Sequence, residues 1–258
     1  MTLAKRVIPV LSIIDGELVK TKKFTNPTYI GDPLNAIKIF NEKEVDEIIV
    51  LDIRASKING EPNYRLIADL AGECFIPLTY GGGIKSIDEA KRLFSLGIEK
   101  ICLQSSVLLN PDFIRELVGY FGSQSIVISV DIKRDWLRRP KIFRAKDAKN
   151  LPENWWQVIN QCVDAGAGEI FLNSVEKDGT LSGPDLEIIR KIGMSFKIPI
   201  IACGGISSLS DMTAAFEAGA DAVAAGAFFV FHGPHRAVLI TYPSYSDLKA
   251  ICSENQFT

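Results

Sequence analysis

The chain has 258 residues and a mass of 28.4 kDa, enough to bury a large core without disulfides or a structural metal. Hydrophobic residues make up 47% and charged residues 23%, which excludes a disordered chain, and a net charge of −2 without long single-sign runs argues against a nucleic-acid binder. Only two histidines occur, His232 and His235, so neither a multi-histidine zinc site nor a Ser-His-Asp triad is expected.

In chain order, short runs rich in Val, Ile and Leu alternate with amphipathic stretches. The runs are Val7–Leu11, Glu47–Asp52, Ile76–Tyr80, Lys100–Leu103, Ser125–Asp131, Glu169–Asn173, Ile198–Ala202 and Ala222–Ala225. Continuous apolar runs of this length predict strands buried on both faces, as in parallel sheets. The stretches between them predict helices over Pro33–Lys43, Ser86–Leu96, Pro111–Tyr120, Asn154–Ala165, Asp185–Phe196 and Ser210–Ala218. Eight strands alternating with helices give the α/β class and a (β/α)8 TIM barrel, a single domain over 1–258; a doubly wound open sheet is the alternative. The five scattered cysteines fit reduced thiols in an apolar core. With no leader pattern and no long apolar span, a cytoplasmic protein with no membrane insertion is expected.

The chain also repeats itself. The segment IPLTYGGGIKSIDEAKRLFSLG from Ile76 is followed 122 positions later by IPIIACGGISSLSDMTAAFEAG from Ile198, without a gap. The same offset maps Glu47-Ile48 onto Glu169-Ile170. Two matching halves are what a duplicated half-barrel leaves behind, although shared βα patterning is the competing account.

Barrel chemistry is sought at the C-terminal ends of the strands. Glycine-rich turns after the third and seventh strands, together with the turns after the fourth, sixth and eighth, predict two phosphate sites on opposite sides of the mouth. One would use Gly83, Gln104 and Ser105; the other would use Asp178, Gly179, Gly205, Gly226 and Ala227. The ligand expected is an elongated phosphorylated small molecule with two phosphates. The competing account is that these glycines make only tight βα turns. Asp131 ends the fifth strand as a candidate general acid or base, or as an ordinary loop-capping carboxylate. At the other end of the barrel, Arg6, Glu47, Lys100 and Glu169 all begin strands. They are either solvated surface charges or a ring of salt bridges that forms a floor able to open.

The motifs LAKRVIPVLSIIDGELVK, VDEIIVLDI, TYGGGIKSIDEA, FGSQSIVISVDIKR, AGAGEIFLNSVEKDGTLSG and PIIACGGI occur in order over nearly the whole chain. Together they resemble the cyclase subunit of imidazole glycerol phosphate synthase, the HisF family. The resemblance implies a barrel paired with a glutaminase subunit of the HisH type, whose ammonia enters through the floor and reacts at the mouth with a bisphosphorylated ribonucleotide. It makes Arg6, Glu47, Lys100 and Glu169 the ammonia gate, Asp131 one of two catalytic aspartates, and Lys20 the lysine of a mobile loop after strand one. No metal or organic cofactor is suggested by any ligand cluster in the sequence. Ser12 stands where the family has its second catalytic aspartate, and a neutral hydroxyl does not replace a carboxylate in proton transfer. Ala227 replaces a serine, Arg134–Pro152 is shortened and basic, and Gly233–Pro243 is an extra piece. This combination is similar to paralogues encoded with surface-polysaccharide genes, which implies a sugar amidotransferase as a further partner. A genuine cyclase subunit of histidine biosynthesis is the alternative, and a phosphate-sensing binding module a third reading.

Overall fold

The computed structural model describes residues 4–108 and 110–253, so the outermost ends of the expected 1–258 domain lie outside the described residues. Eight parallel strands form a closed barrel: β1 (Arg6–Ile14), β2 (Ile48–Asp52), β3 (Leu78–Gly81), β4 (Lys100–Leu103), β5 (Ile126–Arg134), β6 (Glu169–Ser174), β7 (Ile200–Cys203) and β8 (Ala222–Ala225). Each pairs with the next, and β8 returns to β1 in a register running from Ala222 opposite Arg6 to Ala225 opposite Pro9. The expected (β/α)8 barrel is therefore the observed one.

Strand alternation divides the core in two. Ile8, Val10, Ile49, Val127, Phe171 and Ile201 point into the barrel, with small Ala222 and Ala224 filling the space beside them. Val7, Leu11, Ile48, Val50, Ile128 and Ile170 point outward under the helices. Because both faces are buried, the strands read as unbroken apolar runs.

The helices are α1 (Pro33–Glu42), α2 (Tyr64–Glu73), α3 (Ile87–Ser95), α4 (Pro111–Phe121), α5 (Trp155–Asp164), α6 (Leu186–Gly193), α7 (Leu209–Glu217), the single turn α8 (Ala227–Val230) and α9 (Tyr245–Ser253). Asp32 caps α1 ahead of Pro33, and Ser86 with Glu89 forms a capping box on α3. The internal repeat is structural as well: β3, α3 and β4 recur as β7, α7 and β8 at the same displacement, and Ser208 caps α7 as Ser86 caps α3.

Helices α2, α8 and α9 and three hairpins were not among the elements expected one by one. Helix α2 follows Glu-Pro-Asn, which reads as a loop, and only Ile67 and Leu70 of its length are buried. A hairpin of Glu17–Lys22 and Thr25–Gly31 extends β1 over the mouth. A second one, Pro140–Arg144 with Lys149–Asn150, folds back on the end of β5. A third pairs Phe231–His232 with Ala237–Val238 inside the extra C-terminal piece.

Candidate active site

The mouth of the barrel is a cleft of about 920 Å³ including its open end. Inward positions at the ends of the strands build its walls: Ser12 from β1, Ser129 and Asp131 from β5, and Asn173 from β6. Strands β1 and β5 are four apart in an eight-stranded ring, so Ser12 and Asp131 come from opposite walls. Both are buried.

Asp131 is the titratable centre of this cleft. Burial pushes its carboxyl up to about 7, reinforced by the negative charge of Asp178 and opposed by hydrogen bonds from Gln104 and Ser129. A carboxyl that titrates near neutrality can give or take a proton at working pH. Asn173, its register neighbour on β6, has a buried Oδ1 with no hydrogen-bond partner. The thiols that share the interior are poor nucleophiles: burial pushes Cys203 up to about 12, and Cys102 higher still.

Lys20 lies on the first hairpin rather than in an irregular loop. It is buried, and its Nζ donates to Asp178 Oδ1 at 2.9 Å, while Thr21 Oγ1 donates to the other oxygen at 3.2 Å. The structure brings together the residues expected for the second phosphate site: Asp178, Gly179, Gly205, Gly226 and Ala227 line one small cavity with Lys20. Gly205 has φ +93°, and a Cβ there would sit 2.2 Å from the Gly183 carbonyl oxygen. Only glycine fits that turn. Gly83, Gln104 and Ser105 likewise line a common cavity with Lys85 and Lys146. The Gln104 side chain, however, is turned to Asp131 and to the backbone of the second hairpin.

At the opposite end the four strand-start charges close into a ring. Arg6 Nη1 donates to Glu47 Oε2 at 2.6 Å and Nη2 to Glu169 Oε1; Lys100 Nζ lies 3.0 Å from both Glu47 Oε2 and Glu169 Oε2. Thr79 Oγ1 adds a bond to Glu47 Oε1 at 2.7 Å. Of the two readings open from residues alone, the salt-bridge ring is the one observed.

Residues 6–234 match the sequence profile of the family described as histidine biosynthesis protein. The chain belongs to this family. It is 49% identical, over 95% of its length and 98% of the relative's, to a Pseudomonas aeruginosa protein named "Putative imidazole glycerol phosphate synthase subunit hisF2". It is 48% identical to a Leptospira borgpetersenii protein named as a HisF subunit in the same way, over 96% of this chain and 99% of that one. Identity to the imidazole glycerol phosphate synthase subunit HisF of Streptomyces coelicolor is 37%, over 90% of this chain and 92% of that protein. The chain is thus a HisF-like imidazole glycerol phosphate synthase subunit homologue.

The profile stops within the third hairpin, so the rest of the extra piece lies beyond it in this HisF-like barrel. That piece is packed, with Tyr242 donating to the Val7 carbonyl at 2.7 Å and stacking near Phe40 and Phe229. Sequence reasoning missed Thr79 under Glu47 and Ser129 beside Asp131. The period-two alternation of Val127, Ser129 and Asp131 carries the signal for the latter. Among the described residues no helix is long and apolar enough to cross a membrane, and no His, Cys, Asp and Glu cluster could hold a metal ion.

Proposed function

We propose that this HisF-like chain is the ammonia-accepting barrel subunit of a glutamine amidotransferase complex. A glutaminase subunit would dock on the strand-start face and deliver ammonia through the floor, for use at the mouth on a phosphorylated small molecule. The observation that carries this reading is the closed ring of Arg6, Glu47, Lys100 and Glu169. Burying two carboxylates under two half-buried cations where an apolar plug would do is not a route to stability. A ring of ion pairs can, however, exchange partners and admit a small polar molecule, and Asp131 stands in the mouth on the far side of the apolar barrel interior.

In this proposal the two glycine-lined cavities take the two ends of a bisphosphorylated ligand, and Lys20 trades Asp178 for a phosphate. Asp131 acts as acid or base. Ser12 gives the opposite wall no second carboxylate, so cyclisation of the histidine pathway is weak and the ammonia serves amidation elsewhere. A sugar acceptor in surface-polysaccharide synthesis, reached through a separate amidotransferase, fits this division of labour. The second reading is a working cyclase subunit in histidine biosynthesis, favoured by the near-neutral carboxyl of Asp131.

The docking claim is tested on the floor face. Phe75 precedes β3 and Met194 follows α6, which places both on the strand-start side, and they are 85% and 81% exposed. Sedimentation of the chain with a glutaminase subunit should show a heterodimer that Phe75→Glu combined with Met194→Glu abolishes. Unchanged assembly of the double variant would remove the floor as the docking face.

A further inference from the structure

Gln104 follows β4 and uses its amide at every valence. Nε2 donates to Asp131 Oδ2 and to the Phe143 carbonyl oxygen at 3.3 Å. Oε1 accepts from the Ala145 N–H at 3.0 Å and from the Ser105 hydroxyl at 3.5 Å. A backbone N–H can only donate and a carbonyl can only accept, so the amide cannot be turned over without losing both backbone bonds. Its NH2 end is therefore fixed toward the carboxylate.

Both backbone groups belong to the second hairpin, which pairs with β5 at Ile132–Arg134, immediately past Asp131. That hairpin is seated through the Phe143 ring, which meets Phe24 of the first hairpin edge-on at 5.9 Å and carries Lys133 Nζ 4.9 Å from its centre. The contacts form one chain, from first hairpin to second hairpin to amide to carboxylate.

We propose that Gln104 is a positioning residue through which the 140–150 hairpin controls the proton on Asp131. With the hairpin seated, the pinned amide holds an N–H on the carboxylate and favours its ionised form. With the hairpin lifted, the amide loses both backbone anchors and the carboxylate loses its closest donor. Among the described residues the only other side-chain donor to Asp131 is Ser129, at a long 3.5 Å. Of the charged groups around the cleft, Asp178 raises the proton affinity of Asp131, while Lys20 is committed to Asp178. Cys102 of β4 and Cys203 of β7 face the same space as neutral thiols, and Asp52, Lys57 and Lys146 line its rim. Against burial, which pushes the Asp131 carboxyl up to about 7, Gln104 is thus the adjustable donor.

The inference rests on reading Asp131 as the acid–base group of the mouth, but its test needs no turnover. Carbon-detected NMR of the full chain labelled at the aspartate carboxyls, with Asp131→Asn to assign the signal, reads the titration directly. The wild type should titrate near 7. Gln104→Leu should shift it upward by about one unit, a roughly tenfold gain in proton affinity. Phe143→Ala, which unseats the hairpin, should shift it in the same direction and add nothing in the Gln104→Leu background. A Gln104→Leu titration matching the wild type overturns the positioning role. A Phe143→Ala shift that is absent, or that persists undiminished with Gln104→Leu, overturns the coupling. Should Gln104→Leu be insoluble, Gln104→Glu replaces the donor by a carboxylate and must raise the titration further; no change there is equally fatal.

Discussion

Replacing Glu47 by leucine should be among the costliest single changes at the floor. Its carboxylate accepts from Arg6 at 2.6 Å, from Thr79 at 2.7 Å and from Lys100 at 3.2 and 3.0 Å, which fills its acceptor sites. Breaking a buried ion pair by removing one partner costs ~3–5 kcal/mol. Arg6 and Lys100 keep Glu169 and are 23% and 21% exposed, so solvent recovers part of that loss. The expected cost of Glu47→Leu is about 3 kcal/mol, equivalent to a fall in Tm of about 6–12 °C for a domain of this size. Roughly 1 kcal/mol of it is the stranded Thr79 hydroxyl. Adding Thr79→Val should therefore cost nothing further, leaving a coupling energy of about 1 kcal/mol between the two positions. Urea unfolding of the four proteins of the cycle measures this. A Glu47→Leu protein within about 0.5 kcal/mol of wild type, or a difference that disappears in 1 M salt as it does for exposed pairs, would refute a closed ring built on a buried Glu47.

Asp131 binds its proton more tightly folded than unfolded, so its contribution to stability is lost as pH rises from about 4 through about 7. Asp131→Asn should then be more stable than wild type at pH 8 and indistinguishable below pH 4, read from denaturation midpoints across that range. Gly205→Ala must place a Cβ 2.2 Å from a carbonyl oxygen at φ +93°, whereas Gly233→Ala meets nothing within 4 Å at φ +70°. The first should cost more than about 3 kcal/mol and the second about 1 kcal/mol in chemical denaturation. A sugar bisphosphate at about one hundred times its Kd should stabilise the fold by about 2.7 kcal/mol. A sugar monophosphate at equal concentration should raise Tm far less; equal shifts would argue against two phosphate cradles.

The barrel was legible because strands buried on both faces cannot alternate, and because the repeat fixed β3 with β7 and β4 with β8. The strand-start charges were legible as candidates, but whether they met depended on barrel closure. The hairpin after β1 had a signal in Asp15-Gly16, where φ values of 52° and 86° make the left-handed two-residue turn that this dipeptide favours. Its far end had none: Lys23 and Phe24 also adopt positive φ, at 54° and 62°, without a glycine or asparagine. Phe24 is held there by its contact with Phe143, across more than a hundred residues of sequence. The partner of Gln104 was illegible for a similar reason. Its place after β4 suggested a phosphate ligand, and only the seating of a distant hairpin turns its amide toward Asp131.

The central claim is an ammonia-fed barrel whose mouth lacks one of two carboxylates. It is tested most directly by turnover of the family's bisphosphorylated ribonucleotide with saturating ammonium, for wild type and Ser12→Asp. The account predicts little or no wild-type turnover and a gain in Ser12→Asp, on the order of the 10²–10⁴-fold typical of a restored acid–base group. Robust turnover by the wild type, unaffected by Ser12→Asp, would contradict it and make this chain a working cyclase.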